Sequence, residues 1–325
     1  MKTMVRQFVF GGALAALAVV SSPARAQFGD PAKVTLKTSP VAGSVSMIEG
    51  ENGGFAGGNV GVSVGDDGMF IVDDEIAPMT AKLKAALGAL SKKPLRFLIN
   101  THHHFDHTGN NTAMAAAGAI IVAHDNVRKR LSVDQFIEIM GKRIDTPATP
   151  PAGLPVVTFA EDVTLHLNGD EVHVFHVPPA HTDGDSVVHF KKANVVHMGD
   201  IFVPISYPIV DISSGGTFQG FLAAIDKVLP ICDDATKIIP GHGPVSTKAD
   251  LKAYRDMLGT IGEKVAKLAA AKKSLEEIKA AKPTADFDAK YGKVMIPGDM
   301  VVDFIYKTLP PAPAKGKGKK KEKAD

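Results

Sequence analysis

The chain has 325 residues, 45% hydrophobic and 22% charged, a globular composition that fits one large domain or two small ones. Its net charge of +2 hides three positive charges before residue 27 and a net four after residue 314, which leave the body between them acidic at −5 and argue against a nucleic-acid surface. With no Trp and only four Tyr, an aromatic platform for bases or sugars is not indicated either.

Residues 1–26 read as a secretory signal. Lys2 and Arg6 open it, Phe8–Val20 is an apolar run, and Ala24-Arg25-Ala26 is a small-x-small cleavage site. The run is short for a membrane span. The expected mature chain therefore begins at Gln27, has no stable membrane span, and works in a bacterial periplasm. Cys232 is the only cysteine, so no intrachain disulfide forms there, and it is read as structural.

Residues 34–73 read as β-hairpins, with Val45–Ile48 and Asn59–Val64 running between Gly-rich turns. The loop Gly50–Gly58 carries one aromatic, Phe55. Met69–Val72 is a buried strand, and Ile76, Met79, Leu83, Ala86, Leu87 and Leu90 repeat at helical spacing. Leu95–Ile99 is a strand that leads into Thr101-His102-His103-His104-Phe105-Asp106-His107, and a helix follows. Ile120–Ala123 is a further strand, with His124 a structural residue at its end. Residues 125–140 are expected to be helical and the Pro-rich run 146–155 a linker. Strands follow near 156–159, 163–167, 171–177, 186–190 and 194–198. His166, His173, His176 and His189 lie within them and are not assigned as ligands. Thr217–Leu229 is a helix, Ile238-Ile239 a strand ending at His242, and 248–273 a long amphipathic helix. Ser274 to Glu277 is a capping box for another helix, and 299–309 is a last short one. Residues 310–325 form a Lys-rich tail expected to be disordered.

The His-rich stretch carries the chemistry. Neutral imidazole and carboxylate at close spacing are the ligand types of zinc and its borderline-soft neighbours. Alternate residues of an extended segment point the same way, so His102 and His104 can share a metal while His103 points elsewhere. Asp106 and His107 follow as the chain turns into the helix and can face a second metal.

His-x-His-x-Asp-His at 102–107 resembles the signature of the metallo-β-lactamase superfamily. Pro179–Asp185, His197–Asp200 and Pro240–Gly243 resemble its later motifs in order, and Phe70–Asp73 its supporting strand end. The match runs from about residue 40 to about 250, most of the mature chain. It implies an α+β fold, a four-layer αββα sandwich over residues 27–250 with the ligands at one edge. A helical extension, 251–309, packs on it. The resemblance further implies a binuclear site: His102, His104 and His181 on one zinc, Asp106, His107 and His242 on the other, and Asp200 as bridge. A hydroxide shared by the two ions would be the nucleophile, and Asp106 would orient it and shuttle its proton. Asp73 would support the site, with His197 near it. Zinc is favoured over a di-iron redox centre because the family's oxygen-reducing members usually carry Glu at the position of His104.

The substrate expected is a small molecule with a carbonyl bond, a β-lactam or lactone first and a thioester of glyoxalase type second. Two departures bear on this. Secreted B1 lactamases carry Cys where this chain has Asp200, and Lys where it has Val203. Phe55 as a lid and Tyr207 as an oxyanion donor are further expectations. The opposing class is a zinc-binding, non-catalytic module. The oligomeric state is left open.

Overall fold

In the computed structural model, residues 30–52, 54–139 and 142–310 are described. The expected signal and all but the first residue of the expected tail lie outside them.

Chain order begins with β1 (Thr35–Ala42), β2 (Val45–Glu51), β3 (Val60–Gly65) and β4 (Gly68–Val72). Helix α1 (Thr80–Leu90), β5 (Leu95–Ile99), the short helices α2 (Phe105–Thr108) and α3 (Asn111–Ala116), β6 (Ile120–His124) and α4 (Asp125–Leu131) follow. Then come β7 (Gln135–Ile139), β8 (Lys142–Thr146), β9 (Val157–Phe159), β10 (Asp162–Leu167), β11 (Asp170–His176), β12 (Ser186–Phe190) and β13 (Val195–His197). Helix α5 (Phe218–Val228), β14 (Lys237–Ile239), β15 (Ser246–Thr247) and helices α6 (Lys248–Ala270), α7 (Leu275–Ala280), α8 (Asp288–Tyr291) and α9 (Gly298–Thr308) complete the chain.

Among the described residues two large sheets form, in the orders β1-β2-β3-β4-β5-β6-β9 and β10-β11-β12-β13-β14-β15, and β7 and β8 make a separate two-stranded sheet. The period-2 pattern decides their stacking. Phe70 and Val72 of β4 face Val174, Val188 and Phe190 of the second sheet in a shared core. Met69 and Ile71, one residue out of phase, pack under Leu83 and Leu87 of α1. On the far side, Val187, Val196 and Ile238 of the second sheet meet Phe221 and Ile225 of α5 and Leu258 and Ile261 of α6. This is the four-layer αββα sandwich that the motif order implied. The helices after residue 248 belong to the outer layer on the second sheet, with Val301, Val302 and Ile305 of α9 in the same apolar cluster. Both capping boxes there, Thr247 with Asp250 and Ser274 with Glu277, are formed. Among the described residues no helix is long and apolar enough to cross a membrane.

One expected helix is corrected. Residues 125–140 do not continue as a helix: α4 stops at Leu131, and β7 pairs antiparallel with β8, Ile137 opposite Ile144. Gln135–Ile139 is rich in aromatic and β-branched residues, and the pairing with 142–146 satisfies a backbone that a helix would have satisfied internally. His124 does cap α4, accepting the Asn126 N–H, and it stacks on His176 with ring centroids 3.8 Å apart.

Strands β4, β5 and β6 run parallel, as do β13 and β14, so their C-terminal ends meet at one edge. Asp73, His102, Asp200 and His242 all follow such ends.

Candidate metal centre

The site is built by strand ends that stop, turn and expose polar side chains. Asp73 leaves β4 in the left-handed region at φ 62° and is fully buried. Its Oδ1 accepts the Thr101 N–H (2.8 Å), and its Oδ2 accepts the Thr101 hydroxyl (2.7 Å) and His107 Nδ1–H (2.8 Å). Thr101 Oγ1 in turn accepts His102 Nδ1–H at 3.0 Å. One carboxylate thus sets the ring orientation of two histidines.

The other rings are set in the same way. His104 donates Nε2–H to Asp211 Oδ2 at 3.0 Å, and His181 donates Nδ1–H to the Ile209 carbonyl at 2.7 Å. The turn around His181 is held by Asp185, which accepts the His181 and Thr182 N–H groups and the Thr182 hydroxyl. With the outer nitrogen protonated, the inner nitrogen of each ring keeps its lone pair. Those inner atoms converge. His102 Nε2, His104 Nδ1 and His181 Nε2 belong to one cluster, and Asp106, His107 and His242 to another, each with ligand atoms within 4.8 Å of one another.

Asp200 stands between the clusters. Its Oδ1 lies 3.2 Å from His107 Nε2 and 3.5 Å from His242 Nε2, and its Oδ2 lies 3.6 Å from His181 Nε2. Asp106 Oδ2 is 3.3 Å from His242 Nε2. His103 turns away to Ser214 Oγ at 3.3 Å. A further trio, His103, His104 and Asp211, is close enough to hold an ion, but His104 Nε2 is already committed to Asp211.

Backbone reaches these ligands only where side chains are absent. A Cβ on Gly58 would collide with the His107 ring, and one on Gly241 would collide with Asp200 Oδ1. Asn59 then locks the His242 loop, its amide donating to the Pro240 (2.9 Å) and Gly243 (2.8 Å) carbonyls. His197 Nε2 meets the Asn59 carbonyl at 3.1 Å, and its Nδ1 accepts the Gly199 N–H, the residue before Asp200.

The electrostatics are those of a cation site. Burial alone would lower His242, but the carboxylates of Asp200 and Asp106 outweigh it and push it up to about 9. His107 is raised by the same pair together with Asp73, against its own burial. Burial would raise Asp200, yet His242 and His107 hold it well below the usual carboxylate range. His102, buried and facing other imidazoles, is pushed well down, and its Nε2 has no hydrogen-bond partner. A buried orphan nitrogen costs free energy unless something accepts its lone pair. The donor set fits a divalent metal: five imidazole nitrogens and two carboxylates, dry and converging.

Two residues carry weight that sequence reasoning missed. Asp211 and Asn59 have no motif, and each acts across a long stretch of chain. Burial would raise Asp211, but the hydrogen bond and charge of His104 hold it well below its ordinary value. Replacing Asp211 by alanine frees the His104 ring. The expected result is a 10–100-fold loss of metal affinity at the His102–His104–His181 cluster, read by competition with a chromogenic chelator. Unchanged affinity would show that Ile209 and Thr101 hold the cluster without it.

Phe55 does lie at the site, stacked on His242 with centroids 5.6 Å apart. Tyr207 does not. It is 1% exposed, and its hydroxyl bonds to Asp288 Oδ1 (2.9 Å) and the Thr284 carbonyl (3.2 Å), tying the segment after Asp200 to the C-terminal helices. Tyr207→Phe is therefore expected to cost about 1–2 kcal/mol in chemical denaturation and to leave metal content unchanged. A lost rate at unchanged stability would return Tyr207 to the reaction.

A cleft of about 550 Å³ opens over the clusters, floored by His104, Asp106, His181, Asp200 and His242. A four-layer sandwich with such a floor is the scaffold of a metal-dependent hydrolase. The chain belongs to the metallo-beta-lactamase superfamily, whose family model matches residues 53–248. It is 26% identical over 149 residues to the 2,4-dinitroanisole O-demethylase subunit alpha of Nocardioides sp. (strain JS1661), across 45% of this chain and 42% of that one. It is 25% identical over 154 residues to the hydroxyacylglutathione hydrolase of Pelagibacter ubique (strain HTCC1062), across 46% and 52%. The chain thus spans about half the length of the curated relatives it matches. The fold matches that of the metallo-beta-lactamase FIM-1 from Pseudomonas aeruginosa, solved in a mono-zinc form, with a TM-score of 0.55 at 21% identity over 70% of this chain and 96% of FIM-1.

Proposed function

We propose that the chain is an exported binuclear zinc hydrolase that cleaves a carbonyl bond, a β-lactam or lactone ring first and a thioester of glyoxalase type second. The observation that carries this reading is the outer hydrogen bonding of His102, His104, His107 and His181, which turns each lone pair inward. A ring-by-ring choice of tautomer has no packing purpose. The position of Asp200 between the clusters favours two ions over one, and the mono-zinc form of FIM-1 favours zinc. The hydroxyacylglutathione hydrolase relative supports the thioester alternative. Export rests on the features of residues 1–26.

Zinc held by these residues would supply Lewis acidity and would lower the pKa of a bound water to about 7. The chain's residues do the rest. Asp106 sits on the cleft floor with His107 and His242 holding it in the acceptor form, against the pull of burial. It can orient the attacking water, take its proton and return it to the leaving oxygen, nitrogen or sulfur. Phe55, stacked on His242, closes one side of the floor against bulk water.

The test is a panel of a chromogenic cephalosporin, a lactone and a thioester with zinc-loaded mature protein. Two zincs per chain and chelator-sensitive turnover on one member are expected. Two zincs with no turnover on any member would overturn the hydrolase reading in favour of a binding module.

A further inference from the structure

We infer that the cleft selects an uncharged substrate with a long apolar arm, and that the arm lies on a wall made by the β7–β8 hairpin and the C-terminal extension. This rests on the proposed hydrolase only for the reacting bond.

The wall has two independent sources. Ile137 and Ile144 are directly opposite in the hairpin, so both side chains leave the same face, and both line the cleft. Val294, Met295 and Ile296, some 50 residues past the last candidate ligand, line it as well. The two pieces are anchored separately. The Ile296 N–H donates to Ser206 Oγ at 3.3 Å, and Ser213 Oγ donates to the Phe136 carbonyl at 3.2 Å. Phe55 faces the floor beside them. Val294 remains 59% exposed at the cleft, an apolar cost that a ligand's methylenes would relieve.

Charge points the same way. Among the described residues no Lys or Arg lines the cleft, and the one charged lining residue outside the candidate ligands is Glu49. Arg143, on the hairpin, is engaged elsewhere, over the Phe136 ring at 3.7 Å and bonded to Asp145 at 2.7 Å. The metals would draw the polarised oxygen of the scissile bond, whatever the rest of the substrate carries. A carboxylate farther along the substrate would lose water and find no cation. That ranks lactones and neutral esters above β-lactams, whose ring is flanked by a carboxylate, and above acylglutathiones. Hydrolysis of a lactone consumes one water, breaks the acyl C–O bond and yields one hydroxy acid, with no other reactant. The product is then an anion in a cleft with no counter-charge beyond the metal floor, which favours its release.

The test uses binding, so it does not depend on turnover. Non-hydrolysable N-alkyl-2-pyrrolidinones from ethyl to decyl, and a decyl analogue ending in carboxylate, are titrated into zinc-loaded mature protein by calorimetry. Affinity is expected to rise by up to about fourfold per methylene, as burial of CH₂ groups requires. The carboxylate analogue is expected to bind at least tenfold more weakly than the decyl compound. Val294→Lys, at an exposed position that tolerates a charge, is expected to weaken the decyl compound and recover the carboxylate analogue. A flat chain-length series, or equal affinity for the two decyl compounds in the native protein, would overturn the inference. A steep series in a protein that hydrolyses nothing would keep the inference and overturn the hydrolase reading instead.

Discussion

Asp106→Ala is expected to lower turnover by about a thousandfold or more while the first metal position stays filled. The two consequences have separate causes. Asp106 is one of three donors in its cluster, so its removal leaves His107 and His242 to hold an ion with Asp200 alone. Asp106 is also the carboxylate of that cluster on the cleft floor, 12% exposed at its side chain, and so able to meet a water. The His102–His104–His181 cluster shares no donor with it and should keep its ion. Metal content by plasma emission and kcat on the same preparation read both effects. Asp106→Asn separates them: an amide oxygen can still ligate, but the proton acceptor is gone. Metal near two per chain with a lost rate in the Asn variant is the expected signature of proton transfer. Two metals and a native rate in the Ala variant would remove Asp106 from the mechanism altogether.

The candidate ligands were legible because each sits in a short run whose residue types have no other good explanation. His102 to His107 packs four imidazoles and a carboxylate at a strand end, and no core or surface needs that. Their supports were not legible in the same way. Asp211 reaches His104 across 107 residues, and Asn59 reaches the Pro240 carbonyl across 181, so nothing local marks either one. The hairpin at 135–146 was hidden by a competing period. Phe136 and Ile139 also stand at helical spacing just after a real helix, and only the pairing with 142–146 decides for strand. Tyr207 misled by its closeness in sequence to Asp200. Its ring faces the C-terminal helices, because a Tyr in an apolar cluster goes where its hydroxyl finds a partner. The extension was expected to pack on the sandwich, but at no particular face and against no particular part of the site. That it lends Val294–Ile296 to the cleft depends on how α8 and α9 meet the second sheet, which is a tertiary fact.

Glu75→Gln is expected to stabilise the protein at pH 8 and to flatten part of its loss of stability between pH 5 and 8. Glu75 is fully buried, it stands at φ 65° just past β4, and neither carboxyl oxygen has a hydrogen-bond partner. Burial pushes its pKa from 4.5 up to about 8. The folded chain therefore keeps a proton that the unfolded chain releases above pH 4.5. Stability falls wherever the folded state binds more protons, so this residue's contribution is harmless below about pH 4.5 and grows more costly up to about pH 8, where the folded form also ionises. The full span is on the order of 5 kcal/mol, a large share of a typical folding free energy. Glutamine keeps the shape and cannot ionise, so the cost should vanish at the upper end while nothing changes near pH 4.5. The measurement is urea denaturation of zinc-loaded native and variant protein at pH 5, 6.5 and 8. The difference between the two isolates this residue from the histidines that titrate in both. A difference that widens with pH is expected. Parallel curves would mean that Glu75 is ionised in the fold at pH 5 already and has a partner there. Asp74 beside it is likewise pushed well above the usual carboxylate range by burial, although its Oδ1 accepts the Asn110 N–H, while Asp73 accepts three hydrogen bonds. Asp73 and Glu75 both lie past the end of the same strand in the left-handed region, yet one carboxylate holds His107 and the other carboxyl has no hydrogen-bond partner. The strand end that supports the metal centre thus carries beside it a carboxyl that the fold keeps only by keeping it protonated.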